Sequence, residues 1–251
     1  HESVPADDKS KALKYVKDTT GRFTQRPHFE PVEIDHDCEK LVKKFLRERY
    51  GETTFPLRTD DLTILLERDS EDLDLWADLT AEGDGVEGVT YFSRGRKPRV
   101  CISAELSESP NLENRLRTTL AHEYGHVRYH GPLYQVEAVT GQLFAAPSND
   151  GSIKCKRDTI YSAPAQYDWM EWQAWYACGA ILMPYTEVRK LTKSLVAQAE
   201  VGSASHGSEF DKLLVESVRE KFQVSADAAR VRLLKLGLLK VGGGPQLRLT
   251  R

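Results

Sequence analysis

Thr118-Thr-Leu-Ala-His122-Glu123-Tyr124-Gly125-His126-Val-Arg-Tyr-His130-Gly131-Pro132 is the stretch that decides how this chain reads. Two histidines four positions apart bracket a glutamate in the pattern HExxH. Ser109-Pro110 opens the run, with proline in a first turn, and Gly131-Pro132 is stop punctuation, so one helix to about His130 is expected. Residues four apart share a helix face, so both imidazoles can reach one metal ion. Glu123 is turned about 100° from His122. It can stand beside that ion and take a proton from water. Imidazole suits zinc, which lowers the pKa of water toward ~7 and leaves a carboxylate to complete its activation.

A catalytic zinc site has about three protein ligands and one open position. His130 stands another four residues along, but i and i+8 lie about 12 Å apart on a helix axis, too far to share an ion. At an expected helix end, its cation would suit the dipole. A carboxylate on a second helix is the better third ligand. Glu171 opens the apolar run 168–183, and Trp172 and Trp175 beside it can exclude water. On spacing alone, Glu137, Asp150, Asp158 and Asp168 compete with it.

Composition narrows the class. The chain has 251 residues, 40% of them hydrophobic and 29% charged, enough for one or two globular domains. No apolar run approaches the roughly 18 residues a membrane span needs. Residues 1–20 lack the apolar centre of a secretory leader. The four cysteines form no CxxC pair, which fits a reducing compartment, so a cytoplasmic location without membrane contact is expected. Cys38 and Cys178 fall on apolar faces, whereas Cys155 lies between two lysines and reads as exposed. Residues 60–87 carry eleven acids and one base, which reads as a solvated face. Residues 185–251 carry twelve bases and seven acids, so phosphate or DNA contact there is a weak option.

The remaining punctuation sets the elements. Residues 1–32 read as a flexible lead-in. A helix over 35–50, capped by Asp35, ends at Gly51. Segments 62–68 and 73–79 read as short strands, and 86–93 and 99–105 as a hairpin turned at 94–98. Residues 132–167 read as a long insertion, 168–183 as a helix closed by Pro184, 208–222 as a helix, and 225–236 as a helix capped by Ser225. A final hairpin around Gly242–Pro245 would complete a winged-helix-like unit.

The stretch Glu171-Trp-Gln-Ala-Trp-Tyr-Ala-Cys-Gly-Ala-Ile-Leu-Met-Pro184 resembles the second motif of the ImmA/IrrE family of metallopeptidases, roughly E-x-x-A-N-x-F-A-x-x-L-L-M-P. Glu171, Ala174, Ile181 (for Leu), Leu182, Met183 and Pro184 stand in register with it. His122–His126 is similar to the family's HExGH, Gly125 included, and residues 224–238 to its helical tail. The resemblance covers about 85–131 and 168–238. It implies that Glu171 is the third ligand and that His130 is not one. Two positions depart from it: the family's Asn is Trp175 here, and its Phe is Ala177.

The expected fold is therefore α+β: a zincin-like metallopeptidase domain over 33–184, with a small mixed sheet on the HExxH and Glu-bearing helices, then a helical, winged-helix-like unit over 185–251. Strand 99–105 would rim the cleft and accept a substrate chain as a further strand. Zinc is the expected cofactor, and manganese is compatible with the ligands. The resemblance implies cleavage of a partner protein, typically a helix-turn-helix repressor, that switches on stress or mobile-element genes. The reading from another class is a DNA- or protein-binding regulator with a structural or vestigial metal site. Tyr161, Tyr167, Tyr176 and His206 are open candidates for an oxyanion donor.

Overall fold

Alternating apolar residues at 86–103 form the predicted hairpin, and its two strands are the middle pair of a four-stranded sheet. The computed structural model describes residues 13–140, 151–156, 168–201 and 208–239. Its elements are β1 (Lys14–Lys17), β2 (Gln25–His28), α1 (Pro31–Tyr50), α2 (Thr59–Asp69), β3 (Asp72–Ala77), β4 (Val86–Phe92) and β5 (Arg99–Ser103). There follow α3 (Ala104–Ser107), α4 (Glu113–Thr140), β6 (Gly151–Lys156), α5 (Trp169–Leu182), α6 (Tyr185–Val201), α7 (Ser208–Phe222) and α8 (Ala226–Lys235). The fold is α+β and mostly helical. No described helix is long and apolar enough to cross a membrane.

One sheet has the order β3-β5-β4-β6. β3 runs parallel to β5, while β4 is antiparallel to both β5 and β6. The expectation that a substrate chain adds to strand 99–105 fails here, because both edges of β5 are already paired. The strand next to β4 comes from the long insertion: Thr90 is opposite Ile153 and Gly88 opposite Cys155. The side chain of Cys155 lies outside the described residues, as does the hairpin expected near 242–245.

Several boundaries differ from the sequence reading. Segment 62–68 is helical, because Leu62, Leu65 and Leu66 recur at helical spacing and are all fully buried. Helix α1 starts at Pro31, proline being favoured at a first helical position, so Asp35 is an interior residue and not a cap. Arg232 Nη2 donates to Asp35 Oδ1 at 2.6 Å, and Tyr176 Oη donates to Oδ2 at 2.8 Å. Helix α6 fills the gap left after Pro184.

Gly131-Pro132 does not stop α4. Proline removes one helical hydrogen bond, but Leu133 and Tyr134 beyond it are buried against Phe23, Phe92, Ile153, Trp169 and Met170. Tyr134 O also accepts from Gly95 N at 2.8 Å. Gly131 serves close approach: a Cβ there would lie 2.9 Å from Pro98 Cγ.

Where a loose lead-in is expected, β1 and β2 pair antiparallel, and Phe23 in the turn between them is buried. The larger core runs through α1, α2, β5, α4, α5, α7 and α8. Arg117 on α4 helps join these, donating to the carbonyls of Leu57 and Gln223. α8 begins as predicted, with Ser225 Oγ accepting from Ala228 N at 3.1 Å.

Candidate metal centre

Helix α4 presents His122 and His126 to α5, and α5 returns Glu171. Asp168 aligns α5 as its N-cap, accepting from Met170 N and Glu171 N. Asp168 is thus a cap rather than a competing ligand, and Arg22 grips its two carboxylate oxygens at 2.7 Å each. The two helices approach closely because Gly125 has no side chain. A Cβ there would sit 2.9 Å from Ala174 Cα and 3.0 Å from Ala174 O. Gly125 and Ala174 thus form the contact that sets how far Glu171 stands from the histidines.

His122 Nε2 lies 3.0 Å from His126 Nε2 and 3.4 Å from Glu171 Oε2, and His126 Nε2 lies 3.3 Å from Glu171 Oε1. Ligand bonds of about 2.0–2.2 Å around a tetrahedral ion put ligand atoms roughly 3.3–3.6 Å apart. The two distances to Glu171 match that triangle, and the distance of 3.0 Å between the two imidazole nitrogens is shorter than it. The three residues are also the one His/Cys/Asp/Glu group among the described residues able to hold a metal ion. Both imidazoles are fully buried. Glu171 Oε1 is buried without a hydrogen bond of good geometry, an acceptor with capacity for a cation. Two nitrogens and a carboxylate suit a divalent metal such as zinc.

Electrostatics agree with this use at Glu171 and His122, whereas at His126 burial is outweighed by the Glu171 carboxylate, which raises that imidazole above its usual value. Burial pushes the Glu171 carboxyl up, but the two imidazoles, His122 first, outweigh it and hold the group well below the usual carboxylate range. Burial pushes His122 down against the pull of Glu171. A neutral imidazole and an ionised carboxylate are the ligand forms a metal takes.

Glu123, the residue after His122 on α4, has its carboxylate against β4. It is fully buried, and desolvation raises its carboxyl to about 7. Thr90 Oγ1 donates to Oε2 at 2.5 Å, while Oε1 is buried without a hydrogen-bond partner among the described residues. Gly88 makes the room: a Cβ there would sit 2.6 Å from Glu123 Oε1. Thr90 and Gly88 were missed in the sequence, although a glycine inside a strand signals a close approach.

His130 does not cap a helix end. It is fully buried in the middle of α4, with Nδ1 3.0 Å from His126 Nδ1 and Nε2 3.1 Å from Gln173 Oε1. Burial and then the charge of His126 push it well below the usual histidine value. Trp175, standing where the resemblance expects Asn, lays its ring 4.1 Å from that of His122. Neither Trp175 Nε1 nor His122 Nδ1 has a hydrogen-bond partner among the described residues. The Nδ1 side of His122 is thus held by ring packing alone, whereas Nδ1 of His126 meets His130. Trp172 is partly exposed and packs on Tyr176, so it shields the centre less than Trp175 does.

Tyr176 spends its hydroxyl on Asp35. Tyr161, Tyr167, His206, Asp150 and Asp158 lie outside the described residues, as does the side chain of Glu137. No protein-family model and no curated protein matches the sequence.

Proposed function

We propose that the protein is a metallopeptidase in which His122, His126 and Glu171 hold a zinc ion and Glu123 is the general base of peptide-bond hydrolysis. One observation carries this reading. Glu123 is not needed to hold the ion, yet it is buried beside the ligand pair with one carboxylate oxygen fixed by Thr90 and the other unpaired. A carboxylate kept dry and partly unsatisfied costs stability, which is characteristic of functional sites. A structural zinc site would instead be closed by about four protein ligands, commonly cysteines.

When bound, the ion supplies Lewis acidity toward water and the substrate carbonyl. The chain's own residues do the rest. Glu123 accepts the proton of the attacking water at Oε1 and hands it to the leaving amine. Thr90 holds the carboxylate in place for both transfers. Trp175 and the packed helices exclude bulk water from the imidazoles. Manganese suits the same ligands.

In this reading the fold is zincin-like, with α4 and α5 under the mixed sheet. α7 and α8 supply the helix pair of a winged-helix-like unit. By resemblance to the ImmA/IrrE family, the substrate is a partner protein in the cytoplasm, a helix-turn-helix repressor whose loss switches on stress or mobile-element genes. The test is terminal-labelling mass spectrometry of a soluble proteome from the source organism, incubated with zinc-loaded wild type or Glu123→Gln. New N-termini in one or a few proteins, made by wild type alone, are expected. Equal termini with both proteins would remove Glu123 from its role. None with either would favour the regulator reading.

A further inference from the structure

We propose that the β1–β2 hairpin is a clamp on the turn of α5 that carries Glu171, and that Asp18 is the positioning residue that fastens it. The inference rests on the metal-site reading above and adds to it a segment that supplies no ligand. Glu171 lies in the first turn of α5, two residues after Trp169. Backbone N–H groups of a first turn have no partner within the helix, and helix ends fray. Metal bonds tolerate only about ±0.2 Å. A ligand on such a turn therefore needs support from outside the helix.

The hairpin supplies that support. Asp18 is 5% exposed, and its carboxylate joins two segments. Oδ1 accepts from Thr20 N and Oδ2 from Phe23 N, each at 2.9 Å, which fixes the turn between β1 and β2. Oδ1 also accepts from Trp169 Nε1 at 3.1 Å, which ties that turn to the first residue of α5. Phe23 packs edge-on against the Trp169 ring and shares a buried cluster with Met170. The guanidinium of Arg26 lies 5.4 Å from the centre of the same ring. Arg22 pairs with Asp168, whose Oδ1 accepts from Glu171 N at 3.4 Å. One turn on, Gln173 Nε2 donates to the carbonyl of Pro27 at 3.2 Å. Contacts from residues 18–27 thus bracket Glu171 on both sides along α5.

The ligand triangle therefore joins three segments. Helix α4 carries His122 and His126, α5 carries Glu171, and the hairpin holds the turn from which Glu171 reaches across. Trp169 is 151 positions from Asp18 in the chain. By linkage, a docked hairpin strengthens metal binding, and bound metal strengthens docking by the same factor. A hairpin that merely covers apolar residues would add stability and leave the metal affinity of the folded protein unchanged.

The experiment measures zinc affinity by competition with a chromophoric chelator, and urea stability in chelator, for the full chain and three variants. Asp18→Ala removes the acceptor of both links and should weaken zinc binding about tenfold or more, the usual effect of losing support behind a ligand. Trp169→Phe keeps an aromatic ring and removes the Nε1 donor. It should weaken zinc binding in the same direction, and it serves as the test if Asp18→Ala does not fold. Val218→Ala is the control for stability alone, because Val218 is fully buried in the larger core and not in the Phe23 cluster. It should lose urea stability and keep wild-type zinc affinity. Wild-type affinity in both Asp18→Ala and Trp169→Phe would overturn the proposal. So would an equal loss of affinity in Val218→Ala. A wild type that binds no zinc would instead refute the metal-site reading, and the clamp with it.

Discussion

Replacing Gly125 by alanine sets two effects of known size against each other. Gly125 is in the middle of α4 and does not have a positive φ. Alanine is the better helix former by about 1 kcal/mol, so propensity alone predicts a more stable protein. The new Cβ, however, would lie 2.9 Å from Ala174 Cα and 3.0 Å from Ala174 O. Both are backbone atoms, so no rotamer change relieves the overlap. Carbon atoms in contact sit about 3.5–4.0 Å apart, so α4 and α5 must part by roughly 0.5–1 Å. Overpacking of this kind costs about 1–3 kcal/mol, which exceeds the gain in propensity on average. The net expectation is a loss of about 1 kcal/mol in urea unfolding with a chelator present. The effect on metal is larger. Ala174 is one turn from Glu171 on the same helix, and metal bonds tolerate only about ±0.2 Å. Zinc affinity by chelator competition should fall about tenfold or more. A variant that is more stable than wild type and binds zinc equally would refute the close contact of the two helices.

Two further variants test the buried charges. Burial raises the Glu123 carboxyl from 4.5 to about 7 in the metal-free protein, so its contribution is fully present below pH 4.5 and is lost as pH rises to 7. Glu123→Gln cannot ionise, so its stability relative to wild type should climb across that window by up to about 3 kcal/mol in chelator. A difference that stays flat with pH contradicts this. Asp35→Ala strands Arg232, which is 1% exposed, and should cost about 3–5 kcal/mol in urea unfolding. Asp35→Ala combined with Arg232→Met should lose less than Asp35→Ala alone, and a greater loss in the double variant would show that the pair is not the cause.

The local parts of the centre were legible because they follow helical spacing. His122, Glu123 and His126 announce themselves at i, i+1 and i+4, and Glu171 heads an apolar run that closes at Pro184. The Ser225 cap and the 86–103 hairpin were equally local. What escaped the sequence depends on contacts between distant segments. Gly131-Pro132 looks like a stop until Leu133 and Tyr134 find partners on Phe23 and Trp169. His130 looks like a helix end until Gln173 and Pro27 arrive from elsewhere in the chain. Segment 62–68 differs for another reason: a short apolar run fits strand and helix alike, and only burial of Leu62, Leu65 and Leu66 on one side separates them.

His122, His126 and Glu171 are proposed to hold one metal ion together. This is tested most directly by elemental mass spectrometry of wild type and Glu171→Ala, purified side by side without added metal. About one zinc per wild-type chain and a clear loss in Glu171→Ala are expected. Equal zinc in the two proteins, or none in wild type, would contradict the account.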